Sequence, residues 1–385
     1  SALNPFASRG GPDGLHLYSN VTLMNSDSMS RPFFSVIAPC YNVSMHLDAM
    51  LASVRNQSFV DWECILSVER STDDTHERCA EAARQDTRFR VLFGERSGSP
   101  ASPRNRGLDV ARGTYVVWLD GDDFLADDGV LARIAAACAN GEPDVIQFAA
   151  ERRDEDAEGR VVSCVRFANF LPTDDGRMWS GSEALVSIAR RGASYFPMSW
   201  LMALRLDFLR ENAIRFVPGL IYEDSESTPR IFYAAKSVSY LDAVCYVYRR
   251  RMGSVTTNAF SVRELACLAE SVRLLLRFHV THPFDVGLSQ AWARLVLSRF
   301  LFKFFNPWYT TRIARRDWTS CVRMLLKGTG RTDFLRLVRF AGLPKRFAAP
   351  LVLLCGIHPI LDCPARAFFR CVYYPLALRD MKTSS

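Results

Sequence analysis

The 385-residue sequence lacks paired cysteines. Its 11 cysteines are spread through apolar segments, none forms a CxxC pair, and none has the Cys and His spacing of a zinc site. His279 and His282 stand three residues apart, but the residues around them do not complete a metal-ligand set. This pattern argues against a disulfide framework and a structural zinc site, and it predicts a reducing, cytoplasmic location.

The sequence also lacks an uninterrupted apolar run of the ~18 to 20 residues that would span a bilayer. Residues 1–31 do not show the charged and then apolar order of a secretion signal, and they are rich in Ser, Gly and Asn, so we expect a flexible leader. Neither an internal repeat nor a low-complexity tract is visible. These absences argue against a multi-span membrane protein and against a repeat architecture.

What is present suits a folded enzyme with an appendage. Hydrophobic residues make up 49% and charged residues 23% of the chain, which is ordinary globular usage. The net charge of +7 is unevenly spread, because residues 262–385 hold 20 Lys and Arg against 7 Asp and Glu. A basic tail of this kind requires an anionic partner or surface.

Short apolar runs alternate with helix-like segments in the first 150 residues. We predict strands at 33–38, 62–68, 89–93, 115–119 and 144–148, and helices at 44–56, 73–84, 102–111 and 128–139. This alternation predicts an α/β fold with a mostly parallel sheet covered on both faces. Ligands bind beyond the carboxyl ends of such strands, and polar clusters at 41–42, 69–74 and 120–123 all fall there.

The pattern changes after residue 150. Residues 151–160 resemble a charged turn, 161–167 and 238–248 resemble antiparallel strands, and 182–189 and 205–212 have helical spacing. From residue 261 onward the apolar spacing predicts an all-helical region.

An acidic turn, Asp120-Gly121-Asp122-Asp123, directly follows the apolar run 115–119. Three carboxylates in four residues would repel one another unless a cation lay among them. We expect Asp122 to be the metal ligand, Asp120 to face a ribose or a metal-bound water, and Asp123 to support the turn. Oxygen ligands favour Mg²⁺ or Mn²⁺. The alternative is an acidic surface turn that caps the next helix.

Several segments in a fixed order carry a family resemblance. They are SVIAPCYN (35–42), SVRNQSF (53–59), STD (71–73), PRNRGL (103–108), ARGTY (111–115), LDGDD (119–123), YED (222–224) and YRRRMGS (248–254). Together they resemble the family-two inverting glycosyltransferases of the GT-A fold, the type that makes bacterial surface polysaccharides. The resemblance covers about residues 33–258.

The resemblance implies a domain layout. A GT-A catalytic domain would span 32–260, with a donor-binding half at 32–150 and an acceptor half at 151–260. The leader 1–31 would precede it, and a basic helical region, 261–385, would follow.

The resemblance also implies the site. Asp224 matches the family's general base, with Glu223 beside it, although both could simply favour a helix N-terminus. Asp122 and Asp120 are the implied metal ligands. The implied donor-binding residues are Pro39, Tyr41, Asn42, Glu69, Arg104, Asp120, Gly121, Asp122, Arg249 and Arg251.

Arg249 and Arg251 lie two residues apart, so in an extended chain they share a face that could meet the donor diphosphate. The alternative is that they are solvated charges.

Two departures from the family pattern concern specificity. The family usually has Asp-Asp-Gly-Ser-Thr-Asp where this chain has VERSTD at 68–73. Glu69 takes the second Asp position. In the family a carboxylate here accepts the ring N–H of the nucleotide's base, so UDP is the favoured nucleotide. Arg70 replaces a Gly that could serve a special backbone angle. Ser227 stands where the family often has Phe, a change that would alter acceptor shape.

The resulting hypothesis is a transferase, hexosyl or N-acetylhexosaminyl, that moves one sugar to a surface polysaccharide or a lipid-linked acceptor. Apolar and aromatic stretches with flanking Arg and Lys at 344–385 suit contact with the anionic inner face of the cell membrane, or packing on the catalytic domain. A nucleotidyltransferase is one alternative, but 39–42 lacks the Gly-rich, Lys- or Arg-containing loop. A non-catalytic nucleotide-binding scaffold is another. No nucleic-acid-binding module is recognisable.

Overall fold

The apolar run that opens the domain forms a buried central strand. In the computed structural model, which describes residues 31–139, 141–170, 172–190, 197–251 and 261–305, strand β1 spans Phe34–Cys40 and is buried at almost every position. It is parallel to β2, Trp62–Glu69, on one edge and to β4, Tyr115–Trp118, on the other. A parallel strand enclosed in this way needs apolar residues on both faces, which explains its continuous apolar run.

The described residues contain further strands and helices in alternating order. The other strands are β3 Phe89–Gly94, β5 Phe124–Leu125, β6 Val145–Glu155, β7 Val161–Phe167, β8 Met178–Trp179, β9 Met202–Arg205 and β10 Val238–Arg250. The helices are α1 Ser44–Arg55, α2 Thr75–Gln85, α3 Ala101–Val110, α4 Val130–Cys138, α5 Gly181–Arg190, α6 Leu206–Glu211, α7 Asp224–Ala234, α8 Val262–Thr281 and α9 Val286–Phe305.

These strands form a single sheet in the order β3-β2-β1-β4-β9-β6-β10-β5, with β7 paired to β6 and β8 to β10. Strands β3, β2, β1 and β4 are parallel, whereas β9 runs antiparallel between β4 and β6. The carboxyl ends of β1, β2 and β4 therefore lie at one edge of the sheet, and the loops after them meet there. The predicted α/β fold with a mostly parallel sheet is confirmed.

The second half differs from the sequence prediction in two places. Strand β10 was expected to be antiparallel, but it runs parallel to β6 and is antiparallel only to the short β5 and β8. Residues 151–155, expected in a charged turn, instead extend β6. Charged side chains pair along that extension, for example Arg153 with Glu151 at 2.6 Å, so the strand tolerates a polar sequence.

Helix α3 lies unusually close to the sheet because of one glycine. A Cβ added at Gly107 would lie 2.3 Å from Cγ2 of Ile37 on β1. A side chain there would push the helix outward. This close approach holds Arg104 and Asn105, three and two residues earlier on α3, near the carboxyl edge of the sheet.

The region after residue 261 is helical as far as the structure describes it. Helix α8 begins with a capping box, in which the Ser261 side chain accepts from the Glu264 N–H and the Glu264 side chain accepts from the Ser261 N–H. Helix α9 packs against α8 and α5, and the indole of Trp292 donates to the Leu275 carbonyl at 3.2 Å. The predicted leader, up to residue 30, and the predicted membrane-contact segment 344–385 lie outside the described residues.

Within the described ranges, no helix is both long enough and apolar enough to cross a bilayer. The cysteines in the same ranges are free thiols.

Candidate active site

The acidic turn is seated directly on the end of β1. Leu119 and the residues after it leave β4 at the carboxyl edge, and Gly121 allows the turn to approach its neighbours closely. A Cβ at Gly121 would lie 3.0 Å from Cγ2 of Val43 and 3.1 Å from the carbonyl oxygen of Pro39. Pro39 and Gly121 are thus packed together at the carboxyl edge of the sheet, where the candidate site lies.

Asp123 connects the turn to β10 through hydrogen bonds. Its carboxylate is buried and accepts hydrogen bonds from the Tyr246 hydroxyl at 2.7 Å and from the Arg249 N–H at 2.8 Å. The Asp120 N–H in turn donates to the Tyr246 hydroxyl oxygen at 3.2 Å. Burial, with Asp122 and Asp120 nearby, raises the pKa of Asp123 well above its usual value. Because protein groups contact both of its oxygens, Asp123 supports the turn.

Asp120 meets a buried arginine. The Nη2 of Arg104 lies 2.5 Å from Oδ1 of Asp120, while Nη1 of the same guanidinium donates to Glu223. Only 3% of the Arg104 side chain is exposed, against 27% for Asp120. Burial disfavours the charge on Arg104, but the carboxylates of Asp120 and Glu223 outweigh that effect and raise its pKa.

Asp122 and the two predicted diphosphate arginines lie on the side of the turn facing β10. Nη2 of Arg251 is 3.1 Å from Oδ2 of Asp122. Arg249, in contrast, makes a two-pronged pair with Glu155 at the end of β6, at 2.7 and 3.1 Å. Shielding from water, followed by the Asp120 charge, raises the pKa of Asp122, and Arg251 opposes that rise. The two arginines therefore have different carboxylate partners.

The predicted acceptor-side acids lie where the preceding loop meets α7. Asp224 is the first residue of α7 and is half-buried, while Glu223 is buried. The preceding Tyr222 has a left-handed φ of 62°, and its hydroxyl donates to Glu264 of α8 at 2.9 Å. Burial raises the pKa of Glu223, Arg104 opposes the rise, and Asp224 adds to it.

The loops after β1 and β2 are joined at the expected nucleotide side. Asn42 has a φ of 50°, and its side-chain oxygen accepts from the Thr72 N–H at 2.9 Å. The ring of Tyr41 lies under the Arg96 guanidinium, 4.7 Å from its carbon to the ring centroid. Tyr41 and Asn42 thus lie at the carboxyl edge, as predicted.

Glu69 lies at the end of β2 with its carboxylate turned inward. It is buried, and Oε1 accepts from the Ser97 hydroxyl at 2.5 Å and from the Ser97 N–H at 3.2 Å. Nη2 of Arg106 lies 3.9 Å from the same oxygen. The neighbouring Arg70 does not have a left-handed φ and its side chain is 76% exposed, so the backbone here does not require glycine.

Comparison with known proteins finds a family match over part of the chain. Residues 35–187 match the family described as Glycosyl transferase family 2. These residues form a glycosyl transferase family 2 domain. Glycosyltransferase GlyG of Streptococcus pneumoniae serotype 4 is 26% identical over 235 residues, 59% of this chain and 74% of GlyG. The putative teichuronic acid biosynthesis glycosyltransferase TuaG of Bacillus subtilis is 37% identical over 98 residues, 26% of this chain and only 39% of TuaG.

The fold of this glycosyltransferase domain also has a solved counterpart. A crystal structure of Staphylococcus aureus TarS 1-349 in complex with UDP-GlcNAc aligns with a TM-score of 0.64 and 19% identity, covering 90% of this chain and 91% of that one. At that identity the likeness shows the fold alone. The family resemblance and the GT-A fold expected from the sequence are confirmed.

Several residues around the glycosyltransferase site carry no sequence signal. His46, on the first turn of α1, lies in the electrostatic range of Arg251, Arg249 and Glu155, and burial together with the two arginines lowers its pKa to about 4. Its imidazole is therefore neutral at pH 7. Tyr246 and Glu155 also contact the predicted residues, but each sits in an ordinary strand pattern. Only their position in the folded chain reveals them.

The structure brings most of the predicted residues together in two groups. Arg104 directly links Asp120 to Glu223, the neighbour of Asp224, and Arg251 contacts Asp122. The other group lies at the nucleotide side, at the ends of β1 and β2: Pro39, Tyr41, Asn42 and Glu69. Arg249 is held by Glu155 at the border of the first group. Met252, Gly253 and Ser254 lie outside the described residues.

The carboxylates fit a divalent metal only as a partial ligand set. Glycosyltransferases of this family generally depend on a divalent metal. Among the described residues, no group of three or more His, Cys, Asp or Glu side chains is arranged to hold an ion. Mg²⁺ bound with substrate phosphates commonly takes one or two carboxylates, the phosphate oxygens and water. Asp122, with the partly exposed Asp120, fits that role, whereas Asp123 is occupied by protein donors.

Proposed function

We propose that the protein transfers a single hexosyl or N-acetylhexosaminyl group from a nucleoside diphosphate sugar to a hydroxyl of a cell-surface polysaccharide or lipid-linked acceptor. The proposal includes inversion at the anomeric carbon and dependence on Mn²⁺ or Mg²⁺. The observation that supports it most is the contact of one arginine, Arg104, with both the acidic turn and the Glu223–Asp224 pair. A donor-side and an acceptor-side element thereby meet at one edge of the sheet.

Asp224 is the general base in this proposal. It is half-buried at the start of α7, where the helix N-terminus favours its ionised form. Its carboxylate takes the proton of the acceptor hydroxyl as that oxygen bonds to the anomeric carbon. The bond from that carbon to the diphosphate oxygen breaks on the opposite face, and the nucleoside diphosphate leaves with the bonding electrons. A single displacement of this kind inverts the anomeric configuration.

The leaving diphosphate is received at the acidic turn. Asp122 and Asp120 would hold the divalent cation, which when bound neutralises negative charge on the departing diphosphate. Arg251, 3.1 Å from Asp122, and Arg249 lie on the same side. Arginine is suited to phosphate oxygens because its guanidinium donates two parallel hydrogen bonds.

UDP is the proposed nucleotide. Glu69 lies at the end of β2, and the Ser97 hydroxyl donates to its carboxylate. Tyr41 and Asn42 complete the same side of the site. TarS, which shares the fold, has been crystallised with UDP-GlcNAc, and that supports a UDP-sugar donor here.

We further propose that the enzyme works in the cytoplasm, at the inner face of the cell membrane. Lipid-linked acceptors lie there, and the excess of Lys and Arg after residue 262 would be attracted to anionic lipid. Deleting residues 344–385 should release the protein from vesicles containing anionic lipid, and unchanged partition would contradict membrane contact.

The transfer proposal is tested with a panel of nucleotide sugars. The protein is incubated with each sugar and Mn²⁺, with and without EDTA, and the released nucleoside diphosphate is measured. We expect release from at least one UDP-sugar, and loss of that release with EDTA and in Asp122→Ala. Asp128→Asn, which changes an exposed carboxylate beyond the turn, is the matched control and should behave as wild type. Absence of donor binding and hydrolysis across the panel would contradict the proposal.

A further inference from the structure

Arg104 is an almost fully enclosed arginine at the site. Its side chain is 3% exposed, and its guanidinium carbon lies 5.4 Å from the centroid of the Phe216 ring. Nη2 contacts Asp120 at 2.5 Å and Nη1 contacts Glu223, which is itself only 3% exposed. Because protein groups surround the guanidinium on these sides, it is poorly placed to bind a donor directly.

The two carboxylates that Arg104 joins belong to distant parts of the chain. Asp120 lies in the turn after β4, whereas Glu223 directly precedes Asp224 at the start of α7. Arg104 itself is fixed on α3, which Gly107 brings against Ile37 of β1. The next residue, Asn105, holds the backbone of Phe216, in the loop that leads to Glu223, at 2.8 and 3.0 Å. One helix therefore sets the distance between the acidic turn and that loop.

We propose that Arg104 is a positioning residue that couples the donor turn to the general base through Asp120 and Glu223, in place of the donor contact expected from the sequence. This role rests on the proposed sugar transfer. A planar guanidinium presents two terminal nitrogens in fixed, separate directions, so each can hold one carboxylate. A lysine ammonium at the same site keeps the charge, but its donors share one nitrogen, so it does not reproduce the separate Nη1 and Nη2 contacts.

The positive charge of Arg104 also offsets the repulsion among three neighbouring acids. Without its charge, Asp120, Glu223 and Asp224 would form a cluster of like charges in a partly buried site, and those charges repel one another. The loop before α7 would then shift, because Glu223 would lose its only strong counter-charge among the contacts described here. A small displacement of Asp224 would spoil proton transfer more than donor binding.

The test separates donor binding from turnover in Arg104→Lys. We expect kcat for sugar transfer to fall about 100-fold, the effect of a misplacement near 1 Å, while the Kd for the UDP-sugar with Mn²⁺, measured by calorimetry, stays within error of wild type. Arg230→Lys is the matched control, because Arg230 forms a partly buried pair with Glu226 on the same helix α7. It should leave both kcat and Kd unchanged.

A double-mutant cycle tests the contact itself. If Arg104 acts through Glu223, adding Glu223→Gln to Arg104→Lys should lower kcat less than the product of the two single effects. A raised Kd with unchanged kcat would show that Arg104 is a donor ligand and would overturn the positioning role alone, as would multiplicative effects in the cycle. A wild-type protein that releases no nucleoside diphosphate from any donor would overturn the proposed function and this role with it.

Discussion

At the scale of single residues, the acidic turn depends on hydrogen bonds to the buried carboxyl of Asp123. A carboxylate that is 2% exposed is costly unless hydrogen bonds replace its water. Tyr246 supplies one of them and also accepts from the Asp120 N–H. Burial, then the Asp123 and Asp120 charges, raises the pKa of Tyr246, so its hydroxyl stays protonated and donates.

Tyr246→Phe should therefore weaken both the fold and the donor site. We expect the free energy of unfolding in urea to fall by about 2 kcal/mol, because a buried carboxyl loses one of its donors, and the Kd for UDP with Mn²⁺ to rise. Tyr115→Phe is the control, since the buried Tyr115 donates to the Pro143 carbonyl at 3.0 Å, remote from the turn. It should lower stability alone. Equal donor Kd values in the two variants would contradict the role of Tyr246.

Some of the site residues can be predicted from the sequence, and others cannot. Asp122 and Asp224 lie in short acidic motifs, so their chemistry can be recognised from the sequence alone. Tyr246 and Glu155 contact Asp123 and Arg249 over about a hundred residues of chain, and their own surroundings resemble any strand. Contacts between segments so far apart become evident only in the folded chain.

At the scale of elements, the Asn105 side chain of α3 anchors the loop between α6 and α7. The Asn105 amide donates to the Phe216 carbonyl at 2.8 Å and accepts from the Phe216 N–H at 3.0 Å. Both partners are buried. This pair fixes the path of the loop that ends in Glu223 and Asp224.

Asn105→Ala removes both bonds and should loosen that loop. Two buried backbone groups lose their partners, so we expect the unfolding free energy to fall by roughly 2 to 4 kcal/mol and sugar transfer to decrease at saturating donor. Asn212→Ala is the control, because the Asn212 amide donates only to the Phe208 carbonyl of its own helix end. Transfer that remains at the wild-type level in Asn105→Ala would contradict a role for this contact.

The starts of α1 and α2 share one carboxylate. Asp73 accepts from the Ser44 N–H at 3.0 Å and from the Thr75 hydroxyl at 2.6 Å. Burial works against the ionised form, but these hydrogen bonds outweigh it and lower the pKa of Asp73 to about 2. A folded-state pKa below the unfolded one stabilises the fold above pH ~4, and this contribution is lost as the pH falls toward 2.

Asp73→Ala should accordingly destabilise the protein in a pH-dependent way. At pH 7 we expect a loss of about 1 to 2 kcal/mol in unfolding free energy, and this difference from wild type should shrink as the pH is lowered through 4 to the lowest value at which both proteins fold. Asp74→Ala is the control, because Asp74 makes no capping hydrogen bond to α2. A constant difference across this range would show that the carboxylate charge is unimportant.

At the scale of the whole molecule, apolar runs were enough to predict the parallel half of the sheet. Strands β1, β2 and β4 are buried on both faces, and their sequences show it without interruption. The direction of β10 could not be predicted in this way, because apolar content does not depend on the direction of a strand. The β6 extension was hidden for another reason: its charged residues pair with one another along the ladder.

The same sheet explains why residues from 39 to 251 meet at one edge. Parallel strands place successive loops side by side, and α3 and α7 add one arginine and two acids to them. In this arrangement Asp122, proposed to hold the metal and donor, lies apart from Asp224, the proposed general base. Substituting Asp122 should therefore affect donor binding, whereas substituting Asp224 should affect sugar transfer.

The most direct measurement compares donor binding and sugar transfer in Asp224→Asn. We expect the Kd for the UDP-sugar with Mn²⁺ to match wild type while kcat falls by roughly 10²- to 10⁴-fold, the usual contribution of a general base. Asp207→Asn, an equally half-buried acid in the first turn of α6, should keep full activity. Transfer by Asp224→Asn at the wild-type rate, with donor binding intact, would contradict the account.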